Sequence, residues 1–273
     1  MRHPYRHALV LFAVMIALCT STQAFALDVA VLHASQDTYS QDVILRLEQS
    51  MLFDSVTGVD VAYQTPALAE LQNYDSVIVY SDFGFHDAVA LGDTLADYIE
   101  GGGRVVMAGL VFHKADNELS IKGRYRAEYA PITGAGQAGG DGLTLVPVVV
   151  GDPLLLGVVT FNGGSSSYHN INLTLQPNAE VIASWSNDVP MIVRREVNGA
   201  RQVALNFYPP SNAAREDLWD ASTDGVRVMT NALLDVSVVC GDGLQEGNEA
   251  CDDANLNEND ACLSTCVLAS CGD

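Results

Sequence analysis

Residues 95–109, LADYIEGGGRVVMAG, join the end of a predicted helix to a buried β-strand, and this junction decides the fold class. Together with Leu91, the residues Tyr98 and Ile99 recur at helical spacing and give the helix one apolar face. The three glycines at 101–103 allow the left-handed backbone that ends a helix. The apolar run at 104–108 is then typical of a strand buried on both faces.

The same alternation extends towards the N-terminus. The apolar patterns predict strands at 27–33, 59–63 and 76–80, a helix at 41–53, and a short helix that begins near Pro66. This βαβα order is typical of an α/β fold. We therefore predict an open, mostly parallel, flavodoxin-like sheet with helices on both faces.

Beyond Gly109 the pattern is less regular. Residues 133–142 are rich in glycine and predict an exposed loop. Further strands are predicted at 144–150, 181–185, 191–196 and 202–207, with Asn198-Gly199 as a hairpin turn between the last two. Residues 226–234 predict a closing helix.

The first 26 residues have the order of a signal peptide. Arg2 and Arg6 form a positive start, an apolar run follows at 8–19, and Ala24-Phe25-Ala26 is a small-x-small cleavage site. We expect cleavage near Ala26 and a mature chain that is secreted, periplasmic or at the cell surface. No later stretch is apolar enough to span a membrane.

The charge balance narrows the class of partner. The formal net charge is −21, and removal of residues 1–26 would make it more negative because Arg2 and Arg6 are lost. Phosphate backbones and anionic membrane surfaces would be repelled by such a chain. We therefore expect no nucleic-acid partner, and an extracellular or cell-surface ligand instead.

Cysteines divide the mature chain into two parts. None occurs between Leu27 and Val239, whereas five occur from Cys240 onwards. In an oxidising compartment such a cluster predicts disulfides. We place an α/β domain at 27–237 and a cysteine-rich module at 238–273, called the tail below.

Several phrases of the α/β domain resemble the class I glutamine amidotransferase-like superfamily, including its noncatalytic exported relatives. They are YDSVIV at 74–79, LADYIEGGGRVV at 95–106 and VALNFYP at 203–209. The resemblance covers roughly residues 27–236 and implies the sheet predicted above.

The resemblance also implies where a catalytic triad would lie. Active members place a cysteine nucleophile on a tight turn after the fourth strand, and a His-Pro-Glu phrase follows a late strand. Here the turn is Ala108-Gly109-Leu110-Val111-Phe112, and the late phrase is Tyr208-Pro209-Pro210. The nucleophile, the base and the orienting carboxylate are therefore all missing from this alignment, so amidotransferase chemistry is not expected.

Polar residues nevertheless follow the predicted strands, where open α/β sheets bind ligands. We assign His33, Asp82, His86 and His113 to a ligand crevice. The alternative is a hydrolase in which Ser81 attacks, His86 or His113 acts as base and Asp82 orients it. Hydrated loop groups without a function have the same spacing.

The tail resembles a cysteine-rich repeat common in secreted myxobacterial proteins. Its residues are CGDG at 240–243, CDDAN at 251–255, DAC at 260–262 and a closing Cys266. So short a segment needs covalent links, and we predict two disulfides among Cys240, Cys251, Cys262 and Cys266. Three pairings are open, although Cys262 and Cys266 are too close for us to expect that they pair with each other. Cys271 is left over.

Acidic and amide oxygens in the tail raise a second hypothesis. A true EF-hand is excluded because Glu258 takes the glycine position and Ser264 the position of the bidentate glutamate. Another type of calcium site would use Asp252, Asp253, Asn255, Asn257 and Asp260. Otherwise these groups cap turns. We expect no other cofactor.

Overall fold

The computed structural model describes residues 27–235 and, in the tail, residues 251–253, 255, 257, 259–263 and 268–269. The predicted signal peptide lies outside the described residues, and so do Cys240, Cys266 and Cys271. None of the helices within the described part of the chain is long and apolar enough to cross a membrane.

The described chain forms twelve strands and four α-helices. In chain order these are β1 (Leu27–Ala34), α1 (Asp37–Gln49), β2 (Phe53–Asp60), α2 (Leu68–Leu71), β3 (Ser76–Ser81), α3 (Ala88–Glu100), β4 (Arg104–Gly109), β5 (Ile132–Thr133), β6 (Gly136–Ala138), β7 (Leu145–Pro147), β8 (His169–Ile171), β9 (Thr174–Leu175), β10 (Ala179–Trp185), β11 (Pro190–Val197), β12 (Ala200–Leu205) and α4 (Gly225–Asp235).

Eight of these strands form one sheet in the order β2-β1-β3-β4-β12-β11-β10-β7. The first five are parallel, and the last three continue the sheet in antiparallel fashion. Two small pairs, β5 with β9 and β6 with β8, lie outside it. The predicted open, mostly parallel α/β sheet is confirmed.

Helices cover both faces of the sheet, as predicted. On β4, Val106 and Ala108 point into a core that also contains residues of α1 and α4. Val105 and Met107 point into a second core, shared with α2 and α3. Successive residues of a strand face opposite sides, so continuous apolar runs such as β4 are needed where both sides are covered.

The glycines after α3 have separate tasks. Gly102 adopts φ 93°, the left-handed conformation that turns the chain. Gly103 lies against the Tyr98 ring, where an added Cβ would come within 2.3 Å of ring carbons. That ring is itself fixed, because Tyr98 Oη donates a hydrogen bond of 2.7 Å to the Tyr74 carbonyl. The glycine run therefore allows close packing as well as a turn.

Three local predictions were wrong. The second strand is β2 at Phe53–Asp60, so Phe53 belongs to it rather than to a helix, and residues 61–63 form a turn. As an edge strand with one exposed face, β2 lacks a continuous apolar run. Residues 133–142 include the end of β5 and all of β6, and the predicted strand at 144–150 is shortened to β7. By contrast, Asn198-Gly199 forms the predicted turn, with φ of 53° and 80°.

The sheet ends on β7, a three-residue edge strand that contains Pro147. Exposed apolar side chains concentrate just beyond it, and these are Val148, Val150, Leu156 and Val159. The neighbouring Asn231 of α4 holds this segment by donating hydrogen bonds to the carbonyls of Leu154 and Leu156, at 3.1 and 2.9 Å.

We expect Gly103→Ala to lower the free energy of unfolding by about 1–3 kcal/mol, because the fixed Tyr98 ring has no room to yield to a methyl group. Urea denaturation of the mature chain would measure this loss. Gly101→Ala is the matched control, since its added Cβ would meet nothing closer than 3.4 Å. Equal losses in the two variants would show that close packing at Gly103 is not the cause.

Candidate functional site

The end of β4 is a tight turn at Gly109, which adopts φ 67° and ψ −130° before a short 3-10 helix at Leu110–Phe112. Only glycine adopts such angles readily. A Cβ added to Gly109 would lie 3.4 Å from Tyr208 Cδ2 and from Pro209 Cδ. The two places where the sequence lacks a nucleophile and a base therefore face each other in the fold, and Gly109 packs closely against Tyr208 and Pro209.

A buried pair of amides holds this turn. Asn170 Nδ2 donates a hydrogen bond of 2.7 Å to the Gly109 carbonyl and another of 3.0 Å to Asn206 Oδ1. In return, Asn206 Nδ2 donates to the carbonyls of Asn170 and Pro190. Because buried polar groups are costly unless paired, this network fixes the turn relative to β8, β11 and β12.

Three tyrosines lie together beyond the carboxyl ends of the parallel strands. The Tyr208 ring meets Tyr39 and Tyr80 edge-on, with centroid distances of 6.2 and 5.9 Å. Tyr80 Oη accepts a hydrogen bond of 3.1 Å from Ser35 Oγ. Tyr208 Oη, in contrast, is buried without a partner at hydrogen-bonding geometry.

Asp82 lies beside the Tyr208 hydroxyl at the end of β3. Desolvation raises the pKa of Asp82 above its usual value of 3.8, while the positive charge of Arg215 and the nearby Tyr208 hydroxyl oppose that rise. No backbone N–H of the described residues donates to this carboxylate at hydrogen-bonding geometry. Asp82 is therefore a half-buried acid that has a phenol hydroxyl beside it but no backbone donor, which is uncommon for a purely structural carboxylate.

Arg215 supplies a positive charge to this site. Its guanidinium donates two hydrogen bonds to the Asp217 carboxylate, at 2.5 and 3.0 Å. Its guanidinium carbon lies 5.3 Å from the Tyr168 ring centroid and 6.0 Å from that of Tyr39. Aromatic faces on two sides and a bidentate carboxylate leave the guanidinium little freedom.

Helix α1 anchors the loop that carries Arg215. Asp42 Oδ2 accepts a hydrogen bond of 2.7 Å from the Ser211 backbone N–H, and Asp42 Oδ1 pairs with Arg46 at 2.8 Å. The Arg46 guanidinium in turn lies 5.5 Å from the Trp219 ring centroid. We use "the crevice" below for the site formed by Tyr39, Asp82, Gly109, Tyr208 and Arg215.

Of the four predicted crevice residues, the structure brings two together around Tyr80. The His33 ring stacks on Tyr80 with a centroid distance of 6.3 Å. Burial raises the pKa of Tyr80, and the negative charge of Asp82 adds to that rise. Desolvation lowers the pKa of His33, although Asp60 and Asp37 oppose the shift, so this imidazole is neutral at pH 7.

The other two histidines lie apart. His86 is exposed, and its backbone N–H donates to the Val61 carbonyl. His113 Nδ1 accepts a hydrogen bond of 3.0 Å from the Lys114 backbone N–H. Ser81 is fully buried and donates at 2.7 Å to the Leu119 carbonyl. Within residues 27–235, neither histidine forms a hydrogen bond with Ser81 or Asp82, so the alternative triad is not assembled.

Sequence reasoning missed Tyr39, Tyr208 and Arg215 as parts of the crevice. In the sequence, Tyr208 stands only as the replacement for a missing base. Arg215 lies in a loop without regular structure, and nothing in the sequence indicates that α1 brings this loop over the strand ends. A late-strand phrase with a tyrosine where the family has histidine was the one usable signal.

Two cavities differ in volume and in the residues that line them. One of about 10 Å³, close to the volume of a single water probe, lies under the crevice and is lined by Tyr168, Trp185, Tyr208 and Trp219 among others. One of about 310 Å³ lies around Arg194, at the opposite ends of the strands. There Arg194 already pairs with Asp152 at 3.0 Å and Glu180 at 2.9 Å. Asp235 also lines the larger cavity, and its Oδ2 is buried without a hydrogen-bond partner, although Oδ1 lies 3.6 Å from Arg201 and 3.8 Å from Arg194.

In the tail, Cys251 and Cys262 form a disulfide with a Cα–Cα distance of 5.8 Å. The expectation that Cys262 would pair with a partner other than Cys266 is confirmed. The second of the two predicted disulfides stays a prediction, since Cys240 and Cys266 lie outside the described residues.

The predicted calcium ligands of the tail form turns. Asn255 Oδ1 accepts from the Asn257 backbone N–H at 2.7 Å, and Asp260 Oδ1 accepts from that of Cys262 at 3.3 Å. Desolvation and the adjacent Asp260 carboxyl raise the pKa of Asp253. No group of three or more histidine, cysteine or acidic side chains in the described residues is placed to hold a metal. The calcium site, for which Asp252 was also named, stays a prediction.

Solved structures with a similar fold were found at low sequence identity. A ThuA-like protein from Bacteroides uniformis has a TM-score of 0.53 at 14% identity, over 80% of this chain and 94% of that chain. A glutamine amidotransferase from Thermotoga maritima has a TM-score of 0.47 at 10% identity, over 70% and 80%. One from Methylobacillus flagellatus has 0.45 at 13%, over 76% and 90%.

These similarities describe the fold alone. No protein-family model and no curated protein matches the sequence. The chain therefore has the open α/β fold shared with the ThuA-like protein, and its chemistry must be argued from its own residues.

We expect Asp82→Asn to make the domain more stable at pH 7. Because the folded-state pKa of Asp82 is raised, the folded chain binds more protons than the unfolded chain between the two pKa values, and stability falls as pH rises through that window. The stability of the variant should not fall with pH in this way. The extra stability of the variant over the parent should therefore disappear below the unfolded pKa of about 3.9. Urea denaturation of both proteins, measured at about every pH unit between roughly pH 3 and 8, tests this.

Asp217→Asn is the matched control with the opposite sign. Desolvation opposes the shift, but hydrogen bonds and charge from Arg215 lower the pKa of Asp217 overall. Its ionised form therefore contributes stability above the unfolded pKa, and this contribution is lost as pH falls. The Asp217→Asn variant, which lacks the ionised carboxylate, should be less stable than the parent at pH 7. The same sign for both variants would contradict the two environments described here.

We expect reduction to affect the tail and not the α/β domain, because no cysteine lies between residues 27 and 239. Loss of the disulfides typically costs a small module about 2–5 kcal/mol. Limited proteolysis with and without reductant, followed by mass mapping, should release peptides beyond residue 238 only from the reduced chain. Equally fast digestion of residues 27–235 would be contrary to this expectation.

Proposed function

We propose that the chain is an exported noncatalytic binding protein whose α/β domain holds a small ligand in the crevice. The observation that carries the proposal is Gly109: the turn that would present a nucleophile has no side chain, and Tyr208 faces it in place of a base. A neutral phenol with a pKa raised by burial is a poor general base at pH 7.

The crevice nevertheless has features that support binding. Asp82 is half-buried and accepts from no backbone N–H of the described residues, and the Tyr208 hydroxyl beside it lies outside good hydrogen-bonding geometry. Arg215 is fixed by Asp217 and by two aromatic faces before any ligand arrives. Groups that are held in place but not satisfied internally bind with little loss of conformational entropy.

The export part of the proposal rests on the signal-peptide order at residues 1–26 and on the tail. The Cys251–Cys262 disulfide suits an oxidising compartment. We infer that the tail is a compact, protease-resistant extension that associates the domain with the cell surface or an extracellular partner.

The test combines turnover with binding. The mature chain should show no turnover of L-glutamine or of ester, amide and glycoside substrates. In a thermal-shift screen with monosaccharides, amino acids, nucleosides and carboxylic acids, at least one compound should stabilise it. At about 100 times its Kd, a ligand adds about 2.7 kcal/mol, which raises Tm by about 5–10 °C for a domain of this size.

Two outcomes would reject the proposal. The first is turnover that is abolished in Ser81→Ala, His86→Ala or His113→Ala, which would establish the hydrolase alternative. The second is a thermal shift that persists unchanged when Asp82→Asn and Tyr208→Phe are combined, which would place the ligand elsewhere. Asp188→Asn, at the exposed turn between β10 and β11, is the control substitution.

A further inference from the structure

The cavity of about 310 Å³ lies at the amino ends of the parallel strands, at the opposite ends from the crevice. Its volume is at the lower end of the range for small-molecule sites. Residues 27–273 contain nine arginines, and this strongly acidic chain places a third of them here. The ionisable residues that line the cavity are Arg194, Arg195, Arg201, Glu180, Glu196 and Asp235.

Two of the three arginines already have partners. Arg194 pairs with Asp152 and Glu180, at 3.0 and 2.9 Å. Arg195 donates three hydrogen bonds to backbone carbonyls. Neither guanidinium therefore has most of its donors available to a ligand.

The Arg201 guanidinium is different. Its nearest carboxylate is that of Asp235, at 3.6 Å, which is too long for a hydrogen bond. Asp235 is only 1% exposed, and its Oδ2 is buried without a partner, so the two side chains do not form a bidentate pair. Among the residues that the structure describes, no acceptor lies at hydrogen-bonding geometry to Arg201, and its side chain is 26% exposed. Arg201 is therefore the arginine with donors available to a ligand carboxylate.

A carboxylate lies next to this guanidinium along the sheet. Glu196 of β11 is the direct cross-strand neighbour of Arg201 of β12, and both line the cavity. Opposite charges at such positions stabilise a sheet when they pair. No ion pair joins these two described side chains, because Arg201 is turned towards Asp235. A ligand with an ammonium group beside a carboxylate, as in the head group of an α-amino acid, matches this open pair.

The charge of the cavity defines the rest of the ligand. Three arginines face four carboxylates, since Asp152 beside Arg194 adds to the three acids of the lining, and the formal sum is −1. An acidic ligand would add to this excess, whereas a ligand with a net charge of +1 would cancel it. Burial raises the pKa of Asp235, and a positive charge nearby favours its ionised form.

The position of Glu180 shows where a second cation would bind. Glu180 is exposed on β10 and bonds Arg194 through one of its two carboxylate oxygens. Since β11 lies between β10 and β12, Glu180 and Arg201 are about 9–10 Å apart across the sheet. An amino acid with a long cationic side chain can reach from one to the other.

We propose that this cavity is a second ligand site, which binds a free basic α-amino acid with its carboxylate on Arg201, its α-ammonium on Glu196 and its side-chain cation towards Glu180. The site is separate from the crevice and does not depend on the binding function proposed for it.

Calorimetric titration of the mature chain with L-arginine tests the proposal. Agmatine is the same molecule without the carboxylate, and Nα-acetyl-L-arginine lacks the charge of the α-ammonium. Each therefore removes one of the two contacts of the head group. L-Glutamate keeps the head group and reverses the charge of the side chain.

We expect L-arginine to bind about tenfold or more tightly than each of these three compounds. Arg201→Gln and Glu196→Gln should each weaken the binding of L-arginine about tenfold. Glu196 is exposed and has no ion-pair partner among the described residues, so its variant stays folded even if loss of Arg201 beside the buried Asp235 lowers stability. Arg227→Gln, an exposed arginine of α4 outside the lining, is the matched control and should bind as the parent does.

Three outcomes would overturn the proposal. The first is no binding of L-arginine up to about 10 mM. The second is equal binding of agmatine and L-arginine, which would show a cation site without a role for Arg201. The third is binding that persists in Arg201→Gln and Glu196→Gln but is lost when Asp82→Asn and Tyr208→Phe are combined. That result would place the amino acid in the crevice, so it would reject the second site and support the binding function.

Discussion

The position of the Gly109 turn depends on a pair of buried amides. Asn170 and Asn206 exchange hydrogen bonds and bind the carbonyls of Gly109 and Pro190. These contacts join the parallel half of the sheet to the antiparallel half at the point where β4 ends. Asn170 Oδ1 is buried without a partner, but the two amide nitrogens and Asn206 Oδ1 are all hydrogen-bonded, and these bonds hold the junction together. The crevice has a fixed shape because this junction does.

The parts of the fold that the sequence predicts are those where both faces of a strand are covered. The runs in β1, β3 and β4 are continuously apolar because two cores need them, and the helix-ending glycines at 101–103 mark the next turn. The sequence is less informative at the edges. The strand β2 has an exposed face. The short strands β5 and β6 pair with residues 31 to 43 positions later, which no local pattern reveals.

The crevice shows the same division. Asp82 follows β3 and His33 lies near the end of β1, and the sequence locates both strands, so the presence of these residues at the carboxyl ends could be predicted. Arg215 reaches the site only because Asp42 binds the backbone of Ser211 across a long stretch of chain. His86 and His113 follow the right strands but turn away, since where a loop side chain points depends on contacts beyond the strand end. A position after a strand thus predicts nearness to the site without predicting participation.

The edge strand β7, whose Leu145 backbone N–H already donates to the Phe161 carbonyl, has a consequence for how the sheet ends. An open edge strand is a template on which another chain can pair, and the valines beyond β7 would favour such growth. Pro147 lacks the N–H that a new strand would need, and β7 offers only three residues before the chain turns away. The sheet is therefore self-limiting at this edge, and an apolar segment can remain in water without seeding aggregation.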